Sequence, residues 1–148
     1  MISSSVSSRV LSRSLRLAAS ASCRRGFQSS SRRCEKFLNA DPQTFENAIA
    51  ADRSEGKLVL IDFYADWCGP CKQLSPILEK LADDPSVQTG SGRSVDLVTI
   101  DVDQEYELAA DFKVSSIPLV VAFKDGEEVA KFSGAIPETL VRKFLSDL

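Results

Sequence analysis

The chain has 148 residues, enough for one ordinary domain with its own core and too few for two. Its net charge of −3 conceals two segments of opposite sign: residues 1–34 hold seven arginines and no acid, whereas residues 35–148 carry eleven basic and twenty-one acidic residues, a net −10. So acidic a domain argues against nucleic-acid binding, the absence of histidine leaves few ways to build a metal site, and no apolar run approaches the length of a transmembrane helix.

In chain order, the first segment is MISSSVSSRVLSRSLRLAASASCRRGFQSSSRRC, which lacks the continuous apolar core of a secretory signal. On a helical wheel Arg9, Arg13 and Arg16 share one side, with Leu11, Leu15 and Ala18 opposite. An amphipathic, Arg-rich, Ser-rich, acid-free start reads as a mitochondrial transit peptide over residues 1–34, disordered or cleaved, which places the mature protein in the matrix. The alternative is a basic tail that touches nucleic acid or anionic lipid, but such a tail has no need of the apolar face. The stretch from Arg25 to Ser30 resembles a matrix-processing site followed by an eight-residue trim, which puts the mature start near Glu35.

A short strand is expected near Lys36–Leu38. In DPQTFENAIAADRSEGK, Asp41 can cap a helix and Pro42 suits its first turn; Phe45, Ala48 and Ile49 fall at helical spacing, and Gly56 ends the run. LVLIDFYA is apolar at nearly every position, the pattern of a strand covered on both faces. A helix with the stripe Leu74, Ile77, Leu78 and Leu81 follows, with a kink expected at Pro76. Then come a polar, glycine-containing loop PSVQTGSGRS from Pro85 to Ser94, the strand VDLVTIDVD, a short helix QEYELAADFKV, two strands PLVVAF and EEVAKF joined at Asp125-Gly126, and a helix from about Pro137 to Leu148. Strands alternating with helices imply a partly parallel sheet, and the hairpin implies an antiparallel edge; the class is α/β with one domain over 35–148.

The chemistry concentrates in YADWCGPCK, where Cys68 and Cys71 are separated only by Gly69 and Pro70. Zinc needs about four ligands, and the other two cysteines, Cys23 and Cys34, lie in the basic segment. A bridge closing so short a loop is a poor structural staple. Thiol–disulfide exchange fits best: Cys68 at a helix N-terminus is favoured as thiolate, Cys71 one turn on faces the same way, Pro70 sits where a missing N–H costs nothing, and Gly69 keeps the approach open. Asp62 interrupts the apolar strand, so burial should raise its pKa and let it exchange a proton with Cys71. The alternative is an acid emerging at the end of the sheet.

DFYADWCGPCKQLSP resembles the active-site segment of the thioredoxin family, and the likeness extends over about residues 36–148. The resemblance implies the thioredoxin fold, a central mixed β-sheet flanked by four helices with a cis-proline before a sheet strand. It implies reduction of protein disulfides by a reversible Cys68–Cys71 disulfide, with no bound cofactor and with NADPH and FAD acting indirectly through thioredoxin reductase. Disulfide-containing clients such as peroxiredoxins would be its partners, with no nucleic acid, no membrane in the mature form, and a monomeric state. On this resemblance Cys68 is the nucleophile, Cys71 the resolving thiol and Asp62 the buried proton acceptor and donor. Trp67 is a partly exposed lid with Tyr64 beneath, and Ile117 and Pro118 (a cis pair) with Gly134 shape the substrate groove. Trp67 as a core residue, and Gly134 as a simple turn, are the competing readings.

Three departures from the family pattern stand out: Thr99 where many relatives have a lysine near the buried acid, Leu119 where threonine commonly follows the cis-proline, and the longer loop from Val87 to Ser94. Two other functions compete. A disulfide isomerase or oxidase commonly has histidine where Pro70 stands, and a non-catalytic binding module would not need the intact pair with Asp62.

Overall fold

The computed structural model describes residues 34–148. The transit-peptide segment and its processing site therefore lie outside the described residues, apart from Cys34, a free and half-buried thiol. The elements run β1 (Lys36–Phe37), α1 (Pro42–Ile49), β2 (Lys57–Tyr64), α2 (Gly69–Asp83), β3 (Ser94–Asp101), α3 (Tyr106–Asp111), β4 (Leu119–Lys124), β5 (Glu127–Ser133) and α4 (Glu138–Ser146).

The five strands form one sheet in the order β1-β3-β2-β4-β5. The β1–β3 and β2–β3 pairs are parallel, and the β2–β4 and β4–β5 pairs antiparallel. The central strand β2 is apolar because both of its faces are covered. Leu58 and Leu60 join Leu74, Leu78 and Leu81 of α2 and Val141 and Leu145 of α4 on one side. Val59, Ile61 and Phe63 face Phe45 of α1 and Leu108 of α3 on the other, where Phe112 meets Phe45, Phe63 and Phe123 at ring-centroid distances of 5.4, 5.3 and 5.9 Å. Each of these fully buried leucines contributes about 1.5–3 kcal/mol by leaving water.

Alternation along β2 puts Asp62 on the same face as Leu58 and Leu60, towards α2. Its register partners are Thr99 on β3 and Val120 on β4. The acid is thus set in mid-sheet and does not emerge at a sheet end.

The ends of α1 show both local and distant control. Asp41 caps it by accepting the Thr44 N–H at 2.8 Å, with Pro42 in the first turn. The helix stops at Ile49 and does not reach Gly56: Ala50 leaves the helical region at φ −52° and ψ 130°, and its carbonyl accepts both the N–H and the hydroxyl of Ser54, at 2.9 and 3.0 Å. The hairpin turn has Asp125 at φ 54° and Gly126 at φ 87°, the pair of left-handed residues of a type I′ turn, which the sequence left open. Helix α2 is continuous through Pro76.

The loop between α2 and β3 is folded tightly. Gln88 bridges Ser94, the Thr89 N–H donates to the Arg93 carbonyl, and the Gly90 N–H donates to Leu145 at the end of α4 at 3.1 Å. Arg93 grips Asp125 of the hairpin through two hydrogen bonds of 2.6 and 2.7 Å. Its longer course is therefore anchored at both α4 and the β4–β5 turn.

Candidate active site

Cys68 is the N-cap residue of α2. It has extended backbone angles, and its sulfur accepts the Cys71 N–H at 3.1 Å, one of the donors a helix leaves free at its start. Pro70 occupies the first turn without a lost hydrogen bond, and Gly69 and Pro70 are both exposed. Cys68 and Cys71 are joined in a disulfide with Cα atoms 5.3 Å apart. Of the two, Cys68 is the more accessible, at 4% against 1%. Ala65 completes this small buried cluster, and Tyr64, Val102 and Ile117 pack around it.

Asp62 is fully buried beneath α2. Oδ2 accepts the Ser75 hydroxyl at 2.9 Å, while Oδ1 has no hydrogen-bond partner among the described residues. Burial pushes its carboxyl up to about 6; the Ser75 hydrogen bond pulls the other way, and the charge of Glu79 adds to the rise. No cation compensates it from the neighbouring strand, because Thr99 stands at that register position.

The Ile117–Pro118 peptide is cis, and Pro118 is buried. Among the described residues neither the N–H nor the C=O of Ile117 has a hydrogen-bond partner. Its side chain packs on the disulfide cluster. Gly134 has φ 90°, its N–H donates to the Pro118 carbonyl at 2.8 Å, and a Cβ there would point into open space.

Trp67 is not a core residue: it is 70% exposed, and its indole N–H donates to Asp103 at 2.8 Å. Tyr64 packs against the disulfide cluster, and its hydroxyl hydrogen-bonds Asn39. Beside Trp67 opens a groove of about 610 Å³, walled by Val102, Tyr106, Ala109, Val114 and Ile117. Gly134 does not line it.

Sequence reasoning did not mark three contributors: Ser75 on Asp62, Asp103 on Trp67, and α3 with its exposed Tyr106 as a groove wall. Ser75 had a usable signal. It lies four residues beyond Cys71, so it shares the sheet-facing side of α2. The other two arise only when the segment from Asp103 through α3 folds beside the Trp67 loop that precedes α2.

The arrangement can open and close one disulfide at a helix start, above a carboxyl that titrates close to neutral pH. The family profile described as Thioredoxin matches residues 36–147. Among curated proteins, thioredoxin-1 of Saccharomyces cerevisiae is 41% identical over 96 residues, 65% of this chain and 82% of the yeast protein. The thioredoxin of Mycoplasmoides gallisepticum is 41% identical over 92 residues, 62% of this chain and 85% of its own length. Among solved structures, that of Fasciola hepatica thioredoxin superposes with a TM-score of 0.62 at 37% identity, covering 74% of this chain and 95% of the other. A mutant thioredoxin from Halobacterium salinarum gives 0.62 at 32% identity, covering 75% and 88%.

Proposed function

Because this chain belongs to the thioredoxin family, whose members are protein-disulfide oxidoreductases, we propose that it reduces protein disulfides in the mitochondrial matrix with electrons drawn from NADPH through flavin-dependent thioredoxin reductase. The observation that carries the reading is the Cys68–Cys71 disulfide at the start of α2, above the buried Asp62.

In the reduced protein the helix N-terminus favours the Cys68 thiolate. That thiolate attacks a client disulfide, and a mixed disulfide forms as the first client thiolate leaves. Asp62 takes the proton of Cys71, whose sulfur then attacks Cys68; the mixed disulfide breaks, and the client departs with both sulfurs reduced. The unpaired Ile117 backbone offers an extended client strand a partner beside the disulfide, and the Trp67 groove offers it an apolar bed. Thioredoxin reductase returns the Cys68–Cys71 pair to the dithiol, so NADPH and FAD are used without being bound by this chain. Clients are disulfide-containing proteins such as peroxiredoxins, and the domain works as a monomer. The arginine-rich residues 1–34 support delivery to mitochondria.

The test is to incubate the protein with NADPH, thioredoxin reductase and insulin, beside a Cys71→Ser variant. Catalytic NADPH consumption by the unaltered protein, and a stable mixed disulfide on Cys68 of the variant, are expected. Trapping by the variant with no turnover by the unaltered protein would make the domain a binding module. A reduction potential above roughly −200 mV would make it an oxidase or isomerase.

A further inference from the structure

The two oxygens of Asp62 stand in unlike surroundings. Oδ2 is held by the Ser75 hydroxyl at 2.9 Å, and Oδ1 is buried without a partner among the described residues. Ser75 is only half buried, because it also borders a cavity of about 250 Å³ lined by Leu38, Asn39, Tyr64, Ser75, Glu79 and Thr99. Thr99 is the register partner of Asp62 on the same face of the sheet. The helix and the neighbouring strand thus each contribute a hydroxyl-bearing residue to the cavity wall, and that of Ser75 reaches the carboxyl, while that of Thr99 accepts the Asn39 N–H at 2.9 Å. The cavity shares no lining residue with the groove beside Trp67.

We propose that Ser75 is a positioning residue for Asp62, and that the cavity it borders is the route by which the Asp62 proton returns to solvent while a client covers the disulfide. The inference rests on the assignment of Asp62 as proton acceptor for Cys71. Because Ser75 occupies Oδ2, Oδ1 takes the proton: the Cys71 S–H bond breaks and an O–H bond forms. The Cys71 thiolate then forms the bond to Cys68 as the Cys68–client bond breaks, and its electron pair leaves with the client thiolate. The neutral carboxyl rotates and passes its proton to Ser75 Oγ. The hydrogen that Ser75 already carried goes to solvent in the cavity, and the hydroxyl turns back to the carboxylate.

The charged and titratable groups around Asp62 are few. Helix α2 presents Cys71 and Glu79, and β2 presents Tyr64, whose phenol is raised by burial and by the charges of Asp101, Asp66 and Asp62. The flanking register positions, Thr99 and Val120, do not titrate. Lys36 of β1 lies 3.9 Å from Glu79 but is engaged by Asp83 at 2.8 Å. Removing the Ser75 hydroxyl should therefore raise the Asp62 midpoint, and removing the Glu79 charge should lower it. A purely structural role would not give opposite signs.

Titrate the Asp62 carboxyl by carbon NMR in the full chain, and measure the pH profile of insulin reduction. Ser75→Ala should raise the midpoint by about one pH unit, as expected for loss of a hydrogen bond to a charged acceptor. The acid limb of the rate profile should move with it, lowering the rate at pH 6 about five-fold. Ser75→Thr, which keeps a hydroxyl, should restore both, and Glu79→Gln should move the midpoint down. Leu38→Trp, which fills the cavity from an exposed position, should slow the resolving step several-fold in dilute buffer and recover in concentrated imidazole. An unmoved midpoint in Ser75→Ala, or Ala and Thr variants that behave alike, overturns the role of Ser75. A Leu38→Trp rate unchanged in dilute buffer overturns the route. Asp62→Asn separates the two levels. If it leaves the acid limb in place, the assignment of Asp62 itself fails; if it abolishes the limb while the Ser75 variants do not move it, only the present inference fails.

Discussion

Asp62 sits where its own charge is penalised by burial. Folded, its carboxyl keeps a proton up to about pH 6, whereas in the unfolded chain it releases it near 3.8. Between those values the folded state binds the more protons, so stability falls as pH rises, and the full penalty stands above pH 6. The difference corresponds to about 3 kcal/mol. With the disulfide oxidised, Asp62→Asn should therefore gain on the unaltered protein by about 2.5 kcal/mol between pH 4 and pH 8. Urea unfolding at the two pH values checks this, and a constant difference would count against a buried, ionising acid. The residue was legible in the sequence because it breaks an unbroken apolar run. Ser75 was not singled out, because a serine on a helix usually means only an exposed face; its meaning depends on which carboxyl lies across the helix–sheet gap.

At the scale of elements, the strands and helices were legible from periodicity, and the ends of several were not. Helix α1 stops at Ile49 because Ser54 folds back on Ala50, a contact that no helix-stop signal encodes. The loop from Val87 to Ser94 read as polar and long, yet it is closed by α4, more than fifty residues along the chain. Gly90 makes that closure possible: a Cβ there would lie 2.1 Å from the Ser146 carbonyl oxygen. Gly90→Ala must push the loop from the helix end and should destabilise by about 1–3 kcal/mol. Its urea midpoint should fall clearly below that of the unaltered protein. A midpoint within error of it would mean that the loop is not docked on α4.

For the molecule as a whole, covering the central strand on both sides puts α2, which begins at the disulfide, with α4 on one face and α1 with α3, which walls the groove, on the other. The edges are poor templates for further pairing: β1 has two residues, and β5 carries the exposed Glu127, Glu128 and Lys131. The groove itself was the least legible part of the site, since Val102, Tyr106, Ala109 and Val114 read as an ordinary strand end and short helix until the fold sets α3 across from Trp67. The charge division between residues 1–34 and 35–148 belongs to this scale too. Delivery to the matrix predicts that protein isolated from mitochondria has an intact mass beginning near Glu35. Recovery of the full 148-residue mass from the cytosol alone would contradict the import reading.

Trp67 is the chain's sole tryptophan, it adjoins Cys68, and Asp103 tethers its indole. Disulfides quench nearby indole emission, so the protein carries its own optical gauge. Steady-state fluorescence excited at the indole band alone should brighten as the pair opens and dim as it closes. Electron flow through this one bond can then be timed in a stopped-flow cell without any attached dye.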